Sequence, residues 1–184
     1  MPKPRKSDAL AHAFVLGRIT RLRLLKSLND DYRNALQYAF LLLRYRDRSE
    51  GEIIQRLRRK GFTEETGKQI ANYLKEKGFI DDAKFAESLK KVAIEQKHLG
   101  RKGVVHYLLS RGISREIVDG ISGEDEEYLE SARTFVGGKV KQLRELDTFT
   151  IRRRLWAALA RKGYSPEIIG RVLRTYFDEE EICQ

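Results

Sequence analysis

Sulfur and proline are scarce in this 184-residue chain, which has one cysteine, one methionine and three prolines. A single thiol, Cys183, excludes an internal disulfide framework and a cysteine-built metal site, and it fits a reducing compartment. With so few prolines and few β-branched runs, little interrupts helices, and an all-α fold is expected. The three histidines, His12, His98 and His106, are scattered. No two share the i, i+4 spacing that sets a pair of imidazoles on one helix face for a metal. Long apolar runs are also missing. The basic start, Met1 to Lys6, is followed only by Phe14, Val15 and Leu16, far short of the roughly 20 residues of a membrane span. The expectation is a cytoplasmic chain with no cofactor, no metal and no membrane contact.

What the chain has in excess is positive charge. Lysine and arginine number 37 against 27 acidic residues, a formal net charge of +10. That balance is the electrostatic footprint of a partner rich in phosphate or carboxylate. The surplus lies in the first two thirds. The remainder is offset by two acidic clusters, Glu124–Glu127 and Asp178–Glu181.

The chain also repeats itself every 51 residues. Leu57, Lys60, Gly61, Phe62 and Thr63 correspond to Leu108, Arg111, Gly112, Ile113 and Ser114, and again to Leu159, Lys162, Gly163, Tyr164 and Ser165. A carboxylate follows each block: Glu65, Glu116 and Glu167. Upstream, Ile53, Val104 and Leu155 align, as do Ile54, Val105 and Trp156. Three copies without a net insertion describe an array of small units, each with little core of its own, leaning on its neighbours.

Each copy reads as three helices. Ala35, Tyr38, Ala39, Leu42 and Leu43 recur at helical spacing and define a first helix over 34–46. Ser49 and Glu52 form a capping-box pattern ahead of a second helix bearing Ile53, Ile54 and Leu57. Gly61 stands where the helix needs a left-handed residue, and Thr63 caps a third helix carrying Ile70, Tyr73 and Leu74 that stops at Gly78. The corresponding first helices are expected over 83–97, capped by Asp81, and 127–145. A further helix over 10–28 is suggested by the stripe of Val15, Ile19, Leu22 and Leu25. The expected division is a basic extension over 1–31 and three-helix repeats over 32–82, 83–125 and 126–184.

Arg48, Ser49 and Glu50, then Leu57 and Lys60–Phe62, Gly78–Asp82, Lys84–Ala86, Gly100 and Arg111–Ser114, occur in an order and spacing that resemble the RecX family. The resemblance covers 35–177 and leaves residues 1–30 outside. Phe79 and Ile80 stand where tyrosine and leucine are common in the family, a conservative change in packing. The resemblance implies three tandem three-helix repeats in an elongated curved array and no enzymatic activity. It also implies a regulator of recombination and DNA repair that binds the groove of the RecA recombinase filament and inhibits its strand-exchange, ATPase and co-protease activities. A monomer touching both recombinase and single- or double-stranded DNA is expected. The alternative is a sequence-nonspecific DNA-binding protein acting without a recombinase.

Other candidate sites read as structure. Gly137, Gly138 and Lys139 lack the upstream glycine, following hydroxyl and preceding strand of a phosphate loop. Asp81 and Asp82 sit at a helix start, where carboxylates cap N–H groups. The 124–127 cluster suits a helix dipole, or else repels DNA or meets a basic partner. Trp156, at the repeat position of Ile54 and Val105, is expected to fill core, and Phe62, Tyr107 and Tyr164 to pack likewise. The binding candidates are cations on outward helix faces: Arg59, then Lys90, Lys91, Lys97, Arg101, Lys102 and Arg111 in the middle copy, and Arg152, Arg153, Arg154, Arg161 and Lys162 in the last.

Overall fold

Where each copy of the repeat ends its second helix, the backbone performs the same manoeuvre. In the computed structural model, which describes residues 30–178, Gly61, Gly112 and Gly163 take positive φ of 101°, 74° and 86°. The apolar residue after each glycine donates its N–H to the carbonyl of the leucine five positions back. These bonds, Phe62 to Leu57, Ile113 to Leu108 and Tyr164 to Leu159, are each 3.2 Å long. This is the Schellman closure, in which glycine supplies the left-handed residue without a steric penalty. The helix expected over 10–28, Cys183 and residues 179–181 of the second acidic cluster lie outside the described residues.

The described residues form nine α-helices and no strand. Helix α1 covers 30–45. It is followed by α2 (Glu50–Lys60), α3 (Glu64–Glu76), α4 (Asp82–Glu95), α5 (Arg101–Ser110) and α6 (Arg115–Ile121). A 3-10 turn over Asp125–Tyr128 leads into α7 (Leu129–Val140), α8 (Thr148–Arg161) and α9 (Pro166–Asp178). Short polar side chains start several of these helices by accepting an otherwise orphaned N–H. Thr63 takes that of Thr66 at 3.1 Å, Asp81 that of Lys84 at 3.1 Å, and Asp147 that of Thr150 at 2.8 Å. Asp82 reaches further, accepting the N–H of Glu50 at 2.9 Å. The helix expected over 127–145 is shorter, because the chain turns through Gln142–Leu146 before Asp147 restarts it.

Two compact units result, one of residues 30–47 and 53–79, the other of residues 48–52 and 80–178. In the first, Ala35, Ala39 and Leu42 of α1, Ile53 and Leu57 of α2, and Ile70, Ala71 and Leu74 of α3 are buried. In the second, α4, α5 and α6 pack on one another, as do α7, α8 and α9. One continuous apolar cluster runs through it, from Ala86 and Leu89 through Val104, Leu108 and Tyr128 to Ile151, Leu155, Leu159 and Leu173.

Inside the second unit the ends of the repeated second helices abut. Gly100 and Lys102, at the start of α5, donate their N–H groups to the carbonyls of Lys162 (3.0 Å) and Gly163 (3.1 Å) at the end of α8. One period earlier the same junction recurs, with residues 49–52 against the end of α5. Here Ser49 Oγ donates to the carbonyl of Arg111 at 2.6 Å. A Cβ on Gly51 would lie 2.5 Å from the carbonyl oxygen of Gly112, leaving room only for glycine. Donors that a helix start leaves unpaired thus meet carbonyls that a helix end leaves unpaired.

Candidate functional site

The surface of α8 carries free positive charge unopposed by any acid on the same helix. Its fourteen residues, Thr148–Arg161, include Arg152, Arg153, Arg154 and Arg161 and no acid. Burying Ile151, Leu155 and Leu159 at i, i+4 spacing turns one stripe of the helix inward and leaves the arginines outward. All four are exposed, and among the described residues none makes an ion pair or hydrogen bond.

The structure divides the other expected cations into engaged and available groups. Arg111 Nε meets Glu52 Oε1 at 2.8 Å, its Nη1 donates to Tyr107 Oη at 3.2 Å, and its guanidinium covers the rings of Phe85 and Tyr107. Although burial works against its charge, the Glu52 carboxylate and then Tyr107 raise its pKa above the ordinary value. Lys90 pairs with Glu127 at 2.7 Å. Lys162 donates to the carbonyl of Lys97 at 2.5 Å and lies over the ring of Phe135. Burial, with Lys139 and Lys97 nearby, lowers its pKa. Lys97 lies over the ring of Tyr107. These side chains hold helices together. Arg101 and Lys102 instead line an open cleft of 420 Å³ with His106 and Arg115, the last paired with Asp119. Lys91 is exposed, with Glu95 at 4.0 Å, and Arg59 is exposed in the first unit.

Trp156 does not fill core. Its side chain is 43% exposed, and Phe149, one residue past the start of α8, is 74% exposed. The repeat position follows the buried Ile53, Val104 and Leu155 by one residue, about 100° around the helix. There Ile54 and Val105 are half-covered at the edge of the stripe, and the larger indole extends past it into solvent. Phe62 and Tyr107 are half-buried and Tyr164 is buried. The 124–127 cluster caps and enters the 3-10 turn before α7, and two of its acids pair with cations of other helices. Glu126 holds Arg171 through both oxygens, and Glu127 holds Lys90. Gly137, Gly138 and Lys139 lie within α7, where the Tyr176 hydroxyl crowds Gly137.

Sequence reasoning missed the exposed aromatic pair and the cap at Asp147. The phase of Phe149 on α8, seven residues before Trp156, was the available signal for the pair. Among the described residues no cluster of histidine, cysteine and acidic side chains could hold a metal ion. Nor, among the described residues, is any helix long and apolar enough to cross a membrane.

Three-helix bundles that carry exposed, unpaired cations on an outer helix face make a scaffold for binding. Models of the first and third three-helix domains of RecX match residues 35–67 and 125–173. The regulatory protein RecX of Amycolatopsis mediterranei is 36% identical over 145 residues, covering 78% of this chain and 83% of its own. That of Clostridium acetobutylicum is 30% identical over 176 residues, covering 91% and 81%. The chain belongs to the RecX family of regulatory proteins, which are not enzymes. Its fold is also that of the Lactobacillus salivarius RecX crystal structure. That similarity has a TM-score of 0.69 and 23% identity over 79% of this chain and 96% of the other.

Proposed function

We propose that this chain is a cytoplasmic, non-enzymatic regulator that binds the RecA nucleoprotein filament in its groove and restrains strand exchange, ATP hydrolysis and co-protease activity. Membership of the RecX family carries this reading. The unpaired arginines of α8 support it, because a filament offers phosphate and acidic protein surface together. Several weak contacts made by one chain along a repetitive partner add through effective concentration, so no single cation needs to be strong. The regulator acts as a monomer, with Arg152, Arg153, Arg154 and Arg161 as principal contacts, and Arg59, Lys91, Arg101 and Lys102 in support.

The test is binding to single-stranded DNA, bare or coated with recombinase, each titrated with salt. Tighter binding to the coated strand, together with falling ATP hydrolysis, is the expected result. Equal or weaker binding to the coated strand would favour the second reading, a DNA-binding protein without a recombinase partner, for which the carboxylate-free surface of α8 is the specific support. That reading entails a steep salt dependence from phosphate contacts alone.

A further inference from the structure

We infer that the outer face of α8 is a binding site for an unpaired nucleic-acid strand, with Phe149 and Trp156 stacking on bases and Arg152 and Arg153 holding the phosphates between them. Seven residues at 100° each bring Phe149 and Trp156 to within about 20° of one another on the helix. Their separation along the axis is roughly 10 Å. Each ring can therefore take its own base from one strand. Arg152 and Arg153 lie between them in sequence and to either side of Trp156 in helical phase, exposed and without an acid on the helix.

The repeat shows that architecture does not require this pair. One and two periods earlier, the place of Phe149 is held by His98 and Asp47, and that of Trp156 by Val105 and Ile54. The two repeat positions thus carry no exposed aromatic side chain of this size in two copies and an exposed ring each in the third. Large exposed apolar side chains beside free arginines mark a binding surface. The chemistry selects the occupant. An acidic peptide would satisfy the arginines and leave the ring faces without a π partner. A duplex presents phosphates but keeps its bases within the stack. An unpaired strand supplies both phosphates and open base faces, and stacking of this kind tolerates any sequence.

This deepens the filament reading and rests on it only for the biological setting, since the binding is measured without recombinase. Trp156 is the chain's one tryptophan, so its fluorescence reports this face alone. Three probes of equal length are titrated into the full chain: oligodeoxythymidine, an abasic strand with the same phosphates, and a duplex. Oligodeoxythymidine should quench the emission, and the abasic strand and duplex should leave it nearly unchanged. Phe149→Ala should weaken oligodeoxythymidine binding roughly tenfold and leave abasic-strand binding unaltered. Trp156→Phe, followed by anisotropy of a labelled strand, should retain most of the affinity that Trp156→Ala loses. Both aromatics are exposed, so unchanged helicity in the variants is expected and checks that the fold is intact.

Unquenched emission at saturating oligodeoxythymidine would overturn the proposal. So would an equal loss of affinity for the abasic strand in Phe149→Ala, or stronger quenching by a polyglutamate peptide. None of these results would alter the comparison between bare and recombinase-coated strands, so this proposal and the filament reading fail separately.

Discussion

Gly103 faces the carbonyl of Lys162 so closely that a Cβ built on it would lie 2.2 Å from that oxygen. The approach lets the start of α5 meet the end of α8 backbone to backbone. Gly103→Ala must push the two helix ends apart, and a loss of about 1–3 kcal/mol is expected in denaturant unfolding, the range for forced overpacking. Gly61→Ala is the contrasting variant. Nothing lies within 4 Å of its would-be Cβ, yet its φ is 101°, so its cost comes from backbone conformation alone, about 1–2 kcal/mol.

Arg111 should behave as a structural residue and not as a ligand-binding one. Its side chain is 23% exposed and that of Glu52 is 14%, so either truncation strands a partly desolvated charge. Arg111→Ala and Glu52→Ala should each cost about 1–3 kcal/mol. The double variant should cost clearly less than the two combined, measured as a double-mutant cycle. Arg111→Lys should rescue little, because one ammonium cannot reproduce the fork that engages Glu52 and Tyr107 together.

The Tyr128 hydroxyl donates a short hydrogen bond to the carbonyl of Ser122, and the ring is buried. Burial, with the Glu127 carboxylate adding to it, pushes the phenol up to about 12 from an ordinary 10.0. The neutral form is therefore the one the fold favours. Its contribution is complete below the unfolded value of 10.0 and is lost as pH rises through about 12. Tyr128→Phe should lose about 1–3 kcal/mol at neutral pH, since the Ser122 carbonyl is left unpaired. The stability gap between wild type and variant should narrow between pH 10.0 and about 12, read from unfolding curves across that window.

Replacing Arg152, Arg153 and Arg154 together by glutamine should leave stability within about 0.5 kcal/mol, because these side chains hold nothing in place. Binding to single-stranded DNA should weaken, and the slope of log affinity against log salt should become shallower by about 0.7 for each phosphate no longer neutralised. An unchanged slope would remove these arginines from the interface.

The caps and glycine stops could be read in the sequence because they depend on a few neighbouring residues. Thr63, Asp81 and Ser114 start helices as expected, and Gly61, Gly112 and Gly163 end them. The close approaches at Gly51, Gly100 and Gly103 could not be read there, since a glycine at a helix start signals only a weak helix former until another backbone lies against it. The cations were legible as a population but not one by one. Lys90 and Arg111 stand among the candidate binding cations in the sequence, which does not register Glu127, 37 residues away, or Glu52, 59 residues away, the acids that turn each into an internal strut. Trp156 misled for a related reason. A repeat position fixes a direction on the helix, and the size of the side chain there decides whether its end stays covered.

The junctions between helix ends also bear on how far the copies can differ. Where Glu52 and Arg111 form an ion pair in one junction, the equivalent positions in the other are Gly103 and Lys162, and the main-chain fit is kept without it. A coupling written in the main chain asks little of the residues displayed around it. Each copy can therefore carry its own vocabulary of side chains, one with arginines and rings, another with internal struts, on one main-chain grammar.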